Sequence, residues 1–127
     1  MCYNSNCRIE IKSIIDGDLS TVTSQGSVVK SNSEIRFKYT LDGDECALTL
    51  TDSEVKQTRK GENDISMTFR KGERTECTLA SGGFSGSFPV YTHELDKKET
   101  SKDLTLKIVY TLGEQKVELN FSAEYKI

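Results

Sequence analysis

Two polar side chains continue what begins as an apolar face. Val55, Gln57 and Arg59 share one side of an alternating segment, and Lys56, Thr58 and Lys60 share the other. If the Val55 side points into a closed sheet, a guanidinium sits among apolar neighbours. Burying a charge is costly unless it is paired. In the functional reading Arg59 anchors a carboxylate or phosphate, because its planar fork matches such groups. Gln57 and Tyr39 or Tyr110 then add hydrogen bonds, and Phe37, Met67 and Phe69 line the apolar surround. Two bland readings compete with it. The strand twists and Arg59 leaves for solvent, where most charged residues lie, or Arg59 pairs with an internal glutamate.

The other reactive side chains carry less. His93 is the single histidine, the residue type that general acid–base catalysis uses most often. Its neighbour Glu94 points the opposite way if the segment is extended, and His93 reads as an exposed loop residue. No nucleophile-elbow motif is present. Gly82, Gly83 and Gly86 are followed by no Lys-Ser/Thr pair, so they mark a bulge or a barrel corner rather than a phosphate loop. The cysteines are Cys2, Cys7, Cys46 and Cys77, with no C-x-x-C spacing among them. The metal signal is therefore weak. Cys7 is in phase with Ile9 and Ile11, and Cys46 with Leu48 and Leu50, so both read as small buried core residues. Cys2, near a loose terminus over residues 1–6, is expected to be exposed. Nothing pairs a nucleophile with a base. The sequence leans away from an enzyme, and it implies no cofactor and no metal.

These residues must be positioned by strands, because period-two alternation runs along nearly the whole chain. Cys7, Ile9 and Ile11 alternate with Arg8, Glu10 and Lys12, and a more polar strand follows over residues 19–29, with Gly26 marking a bulge. Ile35, Phe37, Tyr39 and Leu41 form the next apolar face, and Asp42-Gly43, a strong hairpin signal, leads into Cys46, Leu48 and Leu50. Ile65, Met67 and Phe69 form another face. Phe84, Gly86, Phe88 and Val90 form one more, with Pro89 demoting its strand to an edge or a bulge. Leu104, Leu106, Ile108, Tyr110 and Leu112 pair across Gly113-Glu114 with Val117, Leu119, Phe121, Ala123 and Tyr125. Residues 93–103 lack apolar periodicity and are dense in charge of both signs. They read as a long solvated loop with room for one helical turn.

The 127 residues make one domain. Seventeen basic against twenty acidic residues leave a net charge of −3, too little positive charge for strong capture of nucleic acid. A hydrophobic fraction of 35% with 29% charged residues fits a globular chain. No apolar run approaches the roughly 20 residues of a membrane-spanning helix, so no membrane insertion is expected. The start of the chain has no basic n-region and no apolar h-region, which together with unpaired thiols points to the cytoplasm.

About eight to ten strands joined by short hairpins favour an all-β, antiparallel, up-and-down barrel over a sandwich. Closure removes exposed edges, and an eight-stranded barrel holds either side chains or one small ligand.

The motif Gln57-Thr58-Arg59-Lys60-Gly61, followed by Met67-Thr68-Phe69 and Gly72, resembles the R-x-G … M-x-F-x-x-G stretch of the YwiB-like family. Thr92-His93-Glu94-Leu95 and Leu106-Lys107-Ile108-Val109-Tyr110 are similar to it as well, and the likeness spans residues 9–125. The resemblance implies a calycin-like (lipocalin-like) β-barrel from a group of small bacterial cytoplasmic proteins of undetermined function. It implies no reaction, because a fold does not determine one. The family's Tyr-x-Thr-Pro-like segment is replaced here by Leu79-Ala80-Ser81-Gly82-Gly83. Lipocalins proper carry a G-x-W signature, and this chain has no Trp. Intracellular fatty-acid-binding proteins place a helical lid where residues 16–33 are Ser/Thr-rich. Two functions remain in view: a non-catalytic barrel that binds a small apolar or anionic ligand, and a protein-interaction module whose interior is filled by its own side chains.

Overall fold

The structure is a computed structural model and describes residues 3–126. The alternating segments become β1 (Tyr3–Ile15), β2 (Asp18–Lys30), β3 (Ile35–Leu41), β4 (Asp44–Leu50) and β5 (Val55–Lys60). They continue as β6 (Asn63–Phe69), β7 (Arg74–Ser81), β8 (Phe84–Glu99), β9 (Asp103–Leu112) and β10 (Gln115–Lys126). Each strand pairs antiparallel with its sequence neighbours, and β1 pairs with β10 to close a ten-stranded barrel. The up-and-down reading holds in full.

The two ends of the barrel are built differently. At one end every connection is two residues long: 16–17, 42–43, 61–62, 82–83 and 113–114. Asp16-Gly17 and Asp42-Gly43 take positive φ at both positions (52° and 85°, 50° and 83°). This is the type I′ geometry whose twist suits a tight hairpin. At the other end, with the chain termini, the loops are longer and reuse one device. The Ser31, Thr51 and Thr100 hydroxyls accept from the backbone N–H of Glu34, Glu54 and Asp103, and their own N–H groups donate back to those residues' carbonyls. A Ser/Thr at the first position and an acid at the fourth thus tie three loops.

Three expectations need correction. Residues 93–99 are strand, not loop: β8 runs to Glu99, with Leu95 opposite Ile108 and Asp96 opposite Lys107. A bulge between Thr92 and Glu94 leaves His93 unpaired and shifts the inward phase from Thr92 to Leu95, a spacing of three. The apolar rhythm is thereby erased in the sequence though the strand continues. Residues 3–6 belong to β1 and pair with β2 rather than hanging loose, while Cys2 lies outside the described residues. Gly26 is not a bulge. It pairs regularly with Cys7 and Tyr39, at a point where a Cβ would stand 2.5 Å from the Lys38 carbonyl and 2.8 Å from Ile9 Cδ1.

That contact is with backbone, which cannot swing aside. Gly26→Ala is therefore expected to destabilise by about 1–3 kcal/mol, the usual cost of overpacking, read from urea unfolding midpoints. A stabilising result, which Gly→Ala gives where space permits, would contradict this close approach of β2 and β3.

The interior is occupied by side chains. Cys7, Ile9, Phe37, Leu48, Phe69, Leu104, Ile108 and Phe121 are among its buried cluster. Rings from β3 and β10, two strands apart round the wall, meet over β1 and β2: Phe37 lies 5.1 Å from Phe121 and 6.4 Å from Tyr125, and Tyr39 lies 6.1 Å from Phe121. Phe69 meets Tyr110 at 4.8 Å. Cys46 and Cys77 are free and buried, and Cys7 is buried as well.

Candidate functional site

Register places the chemistry-bearing residues in rows. Side chains directly opposite each other across a ladder share a face. One inward row runs Tyr39, Cys46, Arg59, Ile65, Leu79, Gly86. The row beneath it, farther from the two-residue turns, runs Phe37, Leu48, Gln57, Met67, Cys77, Phe88. All seven residues singled out in the sequence therefore sit on the inward face, but in three places. Tyr39, Gln57 and Arg59 gather near the two-residue-turn end. Phe69 and Tyr110 form a ring pair, with Met67 buried on the row between. Phe37 lies deep, against Phe121 and Tyr125.

Arg59 neither escapes to solvent nor pairs with a glutamate. Its Nε donates to Asp44 Oδ2 at 2.7 Å. Asp44 begins β4 two residues before Cys46, hence on the same inward face. The arginine side chain stays about a third exposed, at 36% against 17% for the aspartate, so the pair sits at the rim. The hydrogen bond to Asp44 holds the guanidinium even more firmly protonated than usual. Only Nε is engaged, and among the described residues the terminal guanidinium nitrogens have no hydrogen-bond partner.

Beneath the rim, Tyr39 is buried and its hydroxyl has no hydrogen-bond partner. Burial and the Cys46 thiol push its pKa up to about 12, while the nearby Gln57 side chain and Arg59 pull the other way. Gln57 thus stands close, outside hydrogen-bond geometry. Burial pushes the Cys46 thiol up, with Arg59 opposing. Thr92, fully buried beside Tyr110, also has an unpartnered hydroxyl. Buried polar atoms without partners are rare in folded proteins and ask for an explanation.

The rim has an aromatic wall that sequence reading did not single out. Phe84 and Phe88 lie on the inward side of β8 yet are 57% and 40% exposed. Both rings approach Gly86, at 3.3 and 3.6 Å from where a Cβ would be. A groove of about 560 Å3 touches Arg59, Ile65, Leu79 and Gly86, but its walls are mostly outward side chains such as Thr58, Lys60, Asp64 and Ser66. A larger groove of about 780 Å3 touches Tyr39 and Cys46, but its walls are mostly outward polar side chains such as Gln25, Lys38 and Lys60.

The opposite end is sealed. Lys30 and Glu99 form a 2.7 Å ion pair, Tyr125 Oη donates to Glu99 at 3.1 Å, and the Lys30 ammonium lies 4.1 Å over the Tyr125 ring. His93 is exposed at the bulge, with Nε2 2.7 Å from Thr111 Oγ1 and its ring edge-on to Tyr91. Among the described residues no group of three or more His, Cys, Asp or Glu could hold a metal ion.

Residues 8–127 match the family described as "Domain of unknown function (DUF1934)". The chain belongs to the DUF1934 family. No curated protein matches this DUF1934 chain. Its fold is similar to that in the crystal structure of the ywiB protein from Bacillus subtilis, with a TM-score of 0.84 at 14% identity, covering 98% of this chain and 94% of that one. The resemblance read from the Arg59, Met67 and Leu106 motifs is thus shown. At that identity the likeness carries the barrel alone, and the rim of this DUF1934 barrel has to be read from its own residues.

Proposed function

We propose that this chain is a non-catalytic, cytoplasmic barrel that binds a small amphipathic anion at its open end. The observation that carries the reading is an asymmetry of exposure. Inward-facing apolar side chains remain open to solvent at the two-residue-turn end, while the other end is closed by Lys30, Glu99 and Tyr125. An exposed apolar patch rimmed by polar groups is a usual mark of a binding site. Ile65, Leu79, Phe84 and Phe88 offer the apolar surface. Asp44 orients Arg59 through Nε and leaves the terminal nitrogens for a carboxylate or phosphate.

Rings meeting inside the barrel favour a second reading, a side-chain-filled barrel that acts through its surface. They also confine any ligand to the rim. The test compares native and denatured mass spectra of gently purified protein, then titrates decanoate as a probe anion into wild type and Arg59→Ala. Retained mass lost on denaturation, and binding weakened about tenfold or more in the variant, support the site, since one charge-assisted contact is worth about 1.5–3 kcal/mol. Bare protein that ignores decanoate, or equal binding by Arg59→Ala, would hand the case to the filled-barrel reading.

A further inference from the structure

Gly61 opens the two-residue turn between β5 and β6. Unlike the glycines of the other two-residue connections, it does not take positive φ. The turn's backbone therefore does not ask for glycine there. Space does. Cys46 pairs with Arg59 and Glu45 with Lys60, so the next step along the ladder sets Asp44 opposite Gly61, on the inward face that also holds Arg59. Opposite side chains stand about 4.5–5.5 Å apart at Cβ, and diagonal ones about 7–8 Å. Asp44 thus faces a near position at 61 and a far one at 59, and it reaches the far one by leaning across the near one. A Cβ on Gly61 would overlap Asp44 Oδ1 and stand 2.5 Å from its Cγ and 3.1 Å from its Cβ, the three nearest atoms. The other oxygen, Oδ2, accepts from Arg59 Nε at 2.7 Å.

We propose, resting on the anion site above, that Gly61 is a positioning residue for Arg59. Its bare Cα is the seat from which Asp44 holds Arg59 by Nε, and this fixes the edge of the guanidinium that a ligand meets. A guanidinium has two forked edges: Nε with one terminal nitrogen, and the two terminal nitrogens together. Asp44 takes the first by Nε. The second is left to bind two oxygens of a carboxylate or phosphate side by side. A methyl group in the seat drives the Asp44 carboxylate aside. That shift is cheap for the fold, because the carboxylate is the free end of a side chain and the backbone ladder is untouched. It is costly for Arg59, which then turns without a guide. Arg59 and Gly61, two residues apart on one face, thus act as a unit with Asp44 from the neighbouring strand.

Exchange of the Arg59 Nε proton with water, followed in 1H–15N spectra, tests the seat without any ligand. Gly61→Ala is expected to speed it about tenfold or more, as Asp44→Ala does, because the hydrogen bond that protects the proton is lost. The circular dichroism spectrum stays unchanged, and Glu62→Ala, in the same turn, leaves the exchange slow. With decanoate as the probe, Gly61→Ala weakens binding about threefold or more where Asp44 is present. In an Asp44→Ala background it changes nothing, since both substitutions remove the same contact. If Gly61→Ala alone fails to fold, Gly61→Ala/Asp44→Ala decides: the clash is with Asp44, so the double variant folds. Equal exchange rates in Gly61→Ala and wild type, a double variant as unfolded as the single one, or a binding loss that persists without Asp44 each overturns the proposal. A chain that ignores decanoate sinks the anion site alone, and the exchange rates then decide whether Gly61 seats Asp44.

Discussion

Phe37→Ala is expected to cost about 3–5 kcal/mol of folding stability, the range for truncating a buried phenylalanine. The ring is fully buried at the middle of β3, and it meets two other aromatic rings inside the barrel, Phe121 and Tyr125 of β10. Removing it forfeits the area it keeps from water and two ring contacts worth about 0.5–1.5 kcal/mol each. It also leaves a void that a closed sheet cannot collapse around, because ten hydrogen-bonded strands fix the wall positions. Against a typical total of about 5–15 kcal/mol, such a loss leaves the variant barely folded at room temperature. Urea unfolding with an unchanged slope and a lowered midpoint is the readout. Phe84→Ala serves as the control: its ring is more than half exposed, and a loss under about 1 kcal/mol is expected for a surface position. Equal, small losses for both variants would mean that the interior is hollow where the structure fills it, and would restore an internal ligand space around Phe37.

The barrel was legible because its inward face is written in alternation. Cys46, Leu48 and Leu50, or Leu104 through Leu112, are apolar at every second position and all face in. Legibility failed where one residue broke the count. The bulge at His93 moves the inward phase by one, so that Leu95, Lys97 and Glu99 follow Thr92 on the inner side and β8 looks like a charged loop. Glu99 shows why such charge is tolerated there: at the barrel's end it meets Lys30 and Tyr125, from strands far away in sequence. The same limit governs the site. Alternation put Arg59, Gln57 and Tyr39 on the inner face, but it could not say that Asp44 would hold Arg59. Asp44 is in phase with Cys46, a signal that was present, yet it follows a hairpin turn and reads as turn polarity. The exposure of Phe84 and Phe88 depends on where the rim falls. Stagger between strands sets the rim: β9 meets β8 only from Val90 onward, leaving the start of β8 overhanging.

Alkaline pH is expected to unfold this protein steeply, and the two inward tyrosines give the reason. Burial, above all, pushes the pKa of Tyr39 and of Tyr110 up to about 12 from 10.0. In the unfolded chain both hydroxyls ionise near their ordinary value, while in the folded barrel they keep their protons. Stability tied to these groups is whole below pH 10. Above it the unfolded state binds fewer protons than the native one, so stability falls with rising pH until the folded-state value near 12 is passed. At about 1.4 kcal/mol per unit for each tyrosine, two units cost about 5 kcal/mol together, comparable with the whole stability of a small domain. The Cys46 and Cys77 thiols, also raised from 9.0 by burial, bend the curve in the same direction and begin the loss earlier. Urea midpoints measured from pH 8 to pH 12 should therefore decline with a slope that Tyr110→Phe roughly halves and Tyr39→Phe/Tyr110→Phe reduces to the thiol contribution. At pH 8 Tyr39→Phe is expected to be neutral or stabilising, since it deletes a buried hydroxyl that has no partner. If instead it destabilises by about 1 kcal/mol or more, the hydroxyl has a partner in solution. A loss of decanoate binding in the same variant would then place the anion above Tyr39 as well as beside Arg59.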